Sequence, residues 1–208
     1  MPVAVKICGI TREQDALAAA RAGVHALGLV FYRPSPRHVS FDQAGAILRV
    51  LPPFITAVGL FVNPKAAEVD AVLAALPLSL LQFHGDEAPE FCSRFSCPYI
   101  KAVRVKRGVD LVQYAARYSA AKGILLDAHV EGFYGGSGTS FDWDLLPAAG
   151  LPCPVILSGG LNPANVAEAI RRVRPWAVDV SSGVETAKGI KDAAKIAAFM
   201  QGVRSIEI

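Results

Sequence analysis

Eight short apolar runs recur along the chain, and their spacing is the feature that most limits its fold. Each run is rich in Val, Ile and Leu and is apolar at nearly every position. This is the pattern of strands buried on both faces of a parallel sheet rather than of half-exposed antiparallel strands. The runs are Val3–Ile7, Ala26–Phe31, Ile55–Val62, Leu78–Phe83, Tyr99–Val105, Gly123–Asp127, Pro154–Ser158 and Ala177–Ser181. Helix-length segments separate them, so the sequence predicts eight strand and helix units.

Eight such units predict an α/β fold, a single-domain (β/α)8 TIM barrel. A doubly wound open sheet shows similar alternation and is the alternative. The chain has 208 residues, of which 52% are hydrophobic and 19% charged, and this is enough apolar material for one sizeable core. Because no linker or low-complexity stretch breaks the alternation, residues 1–208 are expected to form one domain.

Capping residues predict where several helices begin. Thr11 follows the first run and is expected to cap a helix whose first turn is acidic, as the helix dipole favours. Asn63 is expected to cap the helix after the third run, with Pro64 at its first position. The last helix is expected to extend from about Ile190 to Gly202.

Charge and hydropathy restrict the partners and the location of the protein. The formal net charge is +3 and the Lys and Arg residues are scattered along the chain, which favours small anionic ligands over nucleic acid. No apolar run approaches the roughly 20 residues that cross a bilayer, and the amino terminus lacks a charged segment followed by a long apolar one. We expect a cytoplasmic protein that contacts neither nucleic acid nor membrane.

The four cysteines indicate neither a disulfide framework nor a metal site. Cys8, Cys92, Cys97 and Cys153 are few and irregularly spaced for a chain of this length. Cys92 and Cys97 have no second Cys or His pair at the spacing of zinc ligands. We interpret Cys92, Cys97 and Cys153 as buried thiols.

Cys8 and Asp127 are the candidate catalytic residues. Each stands at the end of an apolar run, and in a barrel the carboxyl ends of all the strands form one rim. A thiol and a carboxyl group on opposite sides of that rim form an acid and base pair suited to proton transfer. Alternatively, Cys8 is a small buried hydrophobe and Asp127 caps a helix or a loop amide.

Glycine-bearing turns after the seventh and eighth runs predict a phosphate site. Gly159-Gly160 and Ser182-Gly183 stand where barrels often bind phosphate, because Gly allows close backbone approach and a helix amino terminus attracts an anion. A phosphorylated small-molecule substrate follows from this interpretation. Ordinary turn glycines are the alternative.

Seven short motifs, in order along nearly the whole chain, resemble the phosphoribosylanthranilate isomerase family of tryptophan biosynthesis. They are Lys6-Ile-Cys-Gly-Ile-Thr11, Ser35-Pro-Arg37, Gly59-Leu-Phe-Val-Asn63, Gln82-Phe-His-Gly85, Leu125-Leu-Asp127 with Gly135-Gly-Ser-Gly-Thr139 and Phe141-Asp-Trp143, Gly159-Gly-Leu-Asn-Pro163, and Asp179-Val-Ser-Ser-Gly-Val-Glu185. The resemblance implies a (β/α)8 barrel and a cofactor-free Amadori rearrangement of a phosphoribosyl aromatic amine. It also implies a monomer or a homodimer.

By the same resemblance, Asp127 matches a general acid that protonates the ribose ring oxygen, and Cys8 matches a general base that removes the proton from C2. Arg37 matches the residue that pairs with the anthranilate carboxylate, a task that suits a planar guanidinium. Gly160 and Gly183, with their neighbours, match the phosphate cradle. A thiol near pKa ~8.5 is mostly protonated at neutral pH, so we expect the site, through Lys6, Arg37 or a helix amino terminus, to lower the pKa of Cys8.

Other interpretations stay open at this point. Lys6 is either catalytic or paired with an interior acid such as Asp179, and His84 is interpreted as a hydrogen-bonded turn residue. Glu185 is interpreted as a structural rim charge. The related sugar isomerase of histidine biosynthesis uses a pair of aspartates, which Cys8 disfavours. A non-catalytic sensor or partner subunit on the same barrel is the alternative from another functional class.

Overall fold

The computed structural model describes residues 2–106, 108–128, 143, 146 and 151–206. In this part of the chain eight parallel strands form a closed barrel, each paired with the next and the eighth with the first. The strands are β1 (Ala4–Cys8), β2 (Ala26–Val30), β3 (Thr56–Phe61), β4 (Leu80–Phe83), β5 (Tyr99–Val105), β6 (Ile124–Ala128), β7 (Val155–Leu157) and β8 (Ala177–Val180). The predicted barrel is confirmed, and the pairing of β1 with β8 rules out an open sheet.

Helices follow the strands along the chain. Within the described residues they are α1 (Glu13–Ala22), α2 (Phe41–Arg49), α3 (Ala66–Ala75), α4 (Pro89–Ser93), α5 (Leu111–Arg117), α6 (Val166–Val173) and α7 (Ala193–Arg204), with a 3₁₀ turn at Ser182–Val184. None of these helices combines the length and the apolar character that crossing a membrane requires. A large apolar cluster, with members on both strands and helices, stabilises this arrangement.

Two of the predicted helix caps are wrong. Arg12 rather than Thr11 precedes α1, and the Thr11 hydroxyl donates to the carbonyl of Gly189 in a distant loop. Asn63 has a positive φ of 46°, and its side-chain oxygen accepts from the amide of Asp86 at 2.7 Å, while α3 begins after it. Both side chains instead form contacts between loops that are far apart in sequence. Local capping patterns carry no information about such contacts.

A hairpin after β8 replaces the predicted start of the last helix. The strands β9 (Glu185–Ala187) and β10 (Ile190–Lys191) pair in antiparallel fashion. Asp192 then caps α7, because its carboxylate accepts from two amides of the first turn. The prediction that Ile190 begins the helix is therefore wrong, and the hairpin places Glu185 and Lys191 near the barrel mouth.

Polar side chains lie above an apolar floor inside the barrel. One cluster joins Ile100, Ala102, Leu125, Ile156 and Ala177, with Ala4 and Leu80 packed against it. Residues two positions apart on a strand point to the same face of the sheet. Two residues further along, toward the carboxyl end, six of these strands place a polar residue on the same inward face. These residues are Lys6, Gln82, Arg104, Asp127, Ser158 and Asp179. The alternation of each strand thus delivers these groups to the barrel mouth.

Candidate active site

A cavity opens at the carboxyl ends of the strands. It is lined by Cys8, Val30, Tyr32, Ser35, Arg37, Leu60, Val62, Gln82, His84, Asp127, Ser158, Asp179 and Ser181. Cys8 and Asp127 come from β1 and β6, and each is at most 6% exposed. The structure therefore brings both predicted catalytic side chains, together with Arg37, to one cavity.

Burial dominates the acidity of Cys8. It raises the pKa of the thiol, while the positive charges of Lys6 and Lys191 lower it and the negative charge of Asp179 raises it further. The net direction is upward, so our expectation that the site lowers the pKa of Cys8 is wrong. Lys6 acts in the expected direction, but removal of the sulfur from water outweighs it.

Lys6 and Asp179 form a buried ion pair beneath Cys8. Their strands are neighbours in register, and Lys6 Nζ lies 2.9 Å from Asp179 Oδ1. Burial alone would lower the pKa of Lys6, but attraction to Asp179 and to Cys8 outweighs it and the pKa is raised. Lys6 is therefore a permanent cation that both pairs with Asp179 and favours the thiolate of Cys8.

Asp127 is bound by a hydrogen-bond chain that the sequence did not reveal. His84 Nε2 lies 3.0 Å from Asp127 Oδ2, and His84 Nδ1 lies 2.8 Å from the amide nitrogen of Gln82. We interpreted His84 as a turn residue, whereas the structure places it in the cavity beside the candidate acid. Its position two residues after Gln82, at the end of β4, was the available signal, because residues two apart share a face.

A buried ion pair fixes the loop that presents His84. Lys101 Nζ donates to the carbonyl of Gly85 at 2.7 Å and lies 3.2 Å from Glu87 Oε2. The Glu87 carboxylate also accepts from the amides of Gly85 and Asn63. These contacts satisfy a fully buried lysine and anchor the backbone next to His84.

Arg37 is held in place by an acid from the hairpin. Its Nε and Nη2 donate to the two carboxylate oxygens of Glu185 at 2.8 and 2.7 Å, and Lys191 Nζ lies 2.7 Å from the same carboxylate. Burial alone would raise the pKa of Glu185, but the hydrogen bonds of Arg37 and Lys191 outweigh it and lower that pKa. A Cβ at Gly9 would lie 2.5 Å from the Arg37 side chain, so glycine is required where Arg37 crosses the loop after β1.

The predicted phosphate turns lie against one another. Gly159 and Gly160 have positive φ values of 81° and 66°. A Cβ at Gly183 would come within 1.9 Å of the Leu161 carbonyl oxygen, so the loop after β8 packs directly on the loop after β7. Ser182 begins the 3₁₀ turn next to cavity-lining Ser181. The four predicted residues therefore form one continuous backbone surface beside the cavity.

A closed (β/α)8 barrel with a thiol and a carboxyl group at one mouth defines a barrel enzyme of the acid–base class. The model of the N-(5'-phosphoribosyl)anthranilate (PRA) isomerase family matches residues 5–202. The chain belongs to the N-(5'-phosphoribosyl)anthranilate isomerase family. The predicted family is thus confirmed, as is the prediction of an enzyme of the isomerase class.

Similar proteins support this assignment along the whole chain. The N-(5'-phosphoribosyl)anthranilate isomerase of Thiobacillus denitrificans is 60% identical over 205 residues, covering 99% of this chain and 100% of the relative. The crystal structure of the isomerase from Thermotoga maritima is 41% identical with a TM-score of 0.89, covering 98% of this chain and 100% of that one. A further solved isomerase, in complex with reduced 1-(o-carboxyphenylamino)-1-deoxyribulose 5-phosphate, is 39% identical with a TM-score of 0.83, covering 98% of this chain and 100% of that one.

Proposed function

We propose that this chain converts N-(5'-phosphoribosyl)anthranilate to 1-(2-carboxyphenylamino)-1-deoxyribulose 5-phosphate, an Amadori rearrangement in tryptophan biosynthesis. The observation that supports it best is the meeting of Cys8 and Asp127 at one cavity from opposite sides of the barrel. The reaction moves hydrogen within one molecule, so it needs an acid and a base but no external oxidant, and no cofactor or metal enters the proposal. A relative in complex with a reduced form of this product fits the same proposal.

In the first step Asp127 donates a proton to the ribose ring oxygen. The bond between C1 and that oxygen breaks, its electron pair stays on the oxygen, and the amine nitrogen forms a double bond to C1. In the second step the Cys8 thiolate removes the proton from C2, and the electrons pass to the nitrogen to give an enolamine. Tautomerisation then yields the ketone, so the product is an isomer of the substrate.

Arg37 is proposed to bind the anthranilate carboxylate. A guanidinium carries five N–H donors, and Glu185 accepts two of them, which leaves donors of the buried Arg37 available at the cavity. Glu185 fixes the plane of the guanidinium before substrate arrives, so little side-chain entropy is lost on binding. This geometry supports recognition of a planar carboxylate.

The phosphate is proposed to bind at Gly159, Gly160, Ser182 and Gly183. Asn165 Nδ2 donates to the carbonyl of Gly160 at 2.9 Å and fixes the first turn. The close packing of the two loops then sets the spacing of the backbone amides that an anion requires.

The test is turnover by the purified protein of freshly made phosphoribosylanthranilate, followed by loss of its fluorescence. We expect wild-type turnover and losses of at least about 100-fold in kcat for Cys8→Ser and for Asp127→Asn, the scale of a positioned acid or base. Cys97→Ser is the matched control, because Cys97 lies outside the cavity, and it should keep wild-type kcat. Full activity in both catalytic variants would reject the residue roles, and no wild-type turnover would reject the function.

Domain organisation, compartment and assembly complete the proposal. We propose that residues 1–208 act as one domain, as a monomer or a homodimer, on a phosphorylated small molecule and without nucleic acid or membrane. A cytoplasmic location is supported by the free state of all four cysteines, which suits a reducing compartment. Light scattering of the purified protein distinguishes the two assembly states.

A further inference from the structure

The Gln82 side chain restricts where the His84 ring carries its proton. The amide nitrogen of Gln82 lies 2.8 Å from His84 Nδ1, and an amide nitrogen has only hydrogens to offer. Nδ1 is then the acceptor and bears no proton. A neutral imidazole carries its one ring proton on the other nitrogen, so the proton of His84 is on Nε2.

That tautomer decides which oxygen of Asp127 holds the acidic proton. His84 Nε2 lies 3.0 Å from Asp127 Oδ2, and because Nε2 bears the proton, Oδ2 is the acceptor. When Asp127 is protonated, its own proton therefore lies on Oδ1. The opposite tautomer would require Oδ2 to carry the proton and to point it at His84 instead of leaving it for a ligand.

The burial of Gln82 supports this orientation of its amide. Gln82 is fully buried, and its Oε1 has no hydrogen-bond partner within the described part of the chain. Protein interiors leave carbonyl oxygens unpaired more readily than N–H groups. With the Gln82 amide nitrogen donating to His84, only the carbonyl oxygen Oε1 stays unpaired, which is the group that interiors tolerate better.

The same contact leaves a second ring proton at Nδ1 without an acceptor. A second proton on Nδ1 would face the amide N–H of Gln82 and break their hydrogen bond. An imidazolium beside Asp127 would hold the aspartate as a carboxylate, which has no proton to donate. The backbone cannot easily move away, since the His84 amide donates to the Phe61 carbonyl at 2.8 Å and Lys101 anchors the next residue, Gly85.

We infer that Gln82 and His84 are positioning residues for the acid step, with Gln82 fixing the His84 proton on Nε2 and His84 directing the proton of Asp127 onto Oδ1. This inference rests on the proposed function. During ring opening the Oδ1 proton passes to the ribose oxygen, and the resulting carboxylate keeps the Nε2–H bond at Oδ2. His84 neither gains nor loses a proton, so Asp127 changes charge without any rearrangement of its support.

The direct test is ¹⁵N NMR of the full-length protein with labelled histidine. The chain has four histidines, and the His84→Gln variant identifies the His84 signals by their loss. We expect wild-type His84 to carry a proton on Nε2 and none on Nδ1. A proton on Nδ1, whether in the other tautomer or in an imidazolium, overturns the inference, and this readout does not depend on activity.

Two variants of Gln82 then connect the tautomer to catalysis. Gln82→Glu presents only acceptors, so Nδ1 should become protonated, and kcat should fall at least about 10-fold, the scale found for partners that orient reacting groups in metal sites. The loss should fall mainly on kcat rather than on KM, because Gln82 is proposed to act through His84 and Asp127. Gln82→Met, of similar shape but with no donor and only a weak sulfur acceptor, is the matched control and should show a smaller loss of kcat.

The outcomes separate this inference from the proposed function. Wild-type kcat in Gln82→Glu, or equal losses in Gln82→Met and Gln82→Glu, overturns the positioning roles while the isomerase activity stands. Lack of turnover by the wild-type protein overturns the proposed function itself. If Gln82→Glu does not fold by circular dichroism, the wild-type NMR result and the Gln82→Met kinetics still decide the inference.

Discussion

Cys8 and Asp127 share one cavity but are supported by different contacts. Cys8 lies among charges, with Lys6 and Lys191 lowering its pKa and Asp179 raising it. Asp127 is bound on Oδ2 by the chain of His84 and Gln82, which carries no formal charge when the imidazole is neutral. The two sides of the barrel mouth thus support their residues by different means.

The difference matches the opposite tasks of a base and an acid. A thiol that acts as a base must become an anion, and a neighbouring buried cation stabilises that anion. A carboxyl group that acts as an acid must first hold a proton, and a neighbouring cation would remove it. A neutral N–H donor supports the carboxyl group before and after proton transfer. The comparison teaches that the base is supported by a buried cation, whereas the acid is held on Oδ2 by a hydrogen-bond chain.

The largest effect is expected for Lys6→Met on the charged side. It leaves Asp179 as an unpaired buried carboxylate, which should lower the free energy of unfolding by about 3–5 kcal/mol. It also removes the charge that lowers the pKa of Cys8, so the rise of kcat/KM with pH should move to higher pH. Denaturant unfolding and a pH profile measure the two effects.

The double variant Lys6→Met with Asp179→Leu separates stability from chemistry. An apolar pair of similar volume can replace a buried ion pair at little net cost, so the double variant should recover most of the lost stability. Its pH profile should return only part of the way to that of the wild type, because Lys6 lowers the pKa of Cys8 more than Asp179 raises it. A profile that recovers fully together with stability would contradict a direct action of Lys6 on the thiol.

A smaller effect is expected for His84→Phe on the Asp127 side. The ring is retained, but the Gln82 amide and Asp127 Oδ2 lose a hydrogen-bond partner, and unfolding should become easier by about 1–3 kcal/mol. The pH at which kcat/KM rises through Cys8 ionisation should match the wild type, because the His84 nitrogens bond to Gln82 and Asp127. A displaced pH profile here would break the distinction between the two sides.

The smallest effect is a pH-dependent difference in stability between wild type and Cys8→Ser. Burial raises the pKa of Cys8 in the folded protein above its value in the unfolded chain. The stability that comes from the raised pKa of Cys8 is therefore fully present below about pH 8.5, the pKa of a free thiol. It is lost as the pH rises through the pKa of Cys8 in the folded protein. Above about pH 8.5, wild type should lose stability relative to Cys8→Ser in parallel denaturant titrations. A constant difference would show that the thiol is not shielded from water.

The residues that sequence analysis located share one property, which is their position at the end of a buried strand. Cys8 and Asp127 end apolar runs, and the glycines after the last two strands follow the same rule. Closing a barrel of parallel strands brings such positions together whatever lies between them. Strand periodicity was therefore sufficient to place them.

The predictions that were wrong involve side chains whose partners lie far away in sequence. Thr11 bonds to Gly189 and Asn63 to Asp86, so neither caps the helix beside it. His84 was interpreted as a turn residue, but its ring bonds to Asp127 across the barrel interior. Local patterns contain no information on which loops meet, and these contacts depend on that.

The sequence alone determined the fold class, the family and the set of strand-end groups, because alternating apolar runs and short motifs are local properties. Only the tertiary structure decided the direction of the Cys8 pKa shift and the assembly of Gln82, His84 and Asp127 into one chain. Burial and distance decide both, and they exist only once β1 has closed on β8 and carried these side chains out of water.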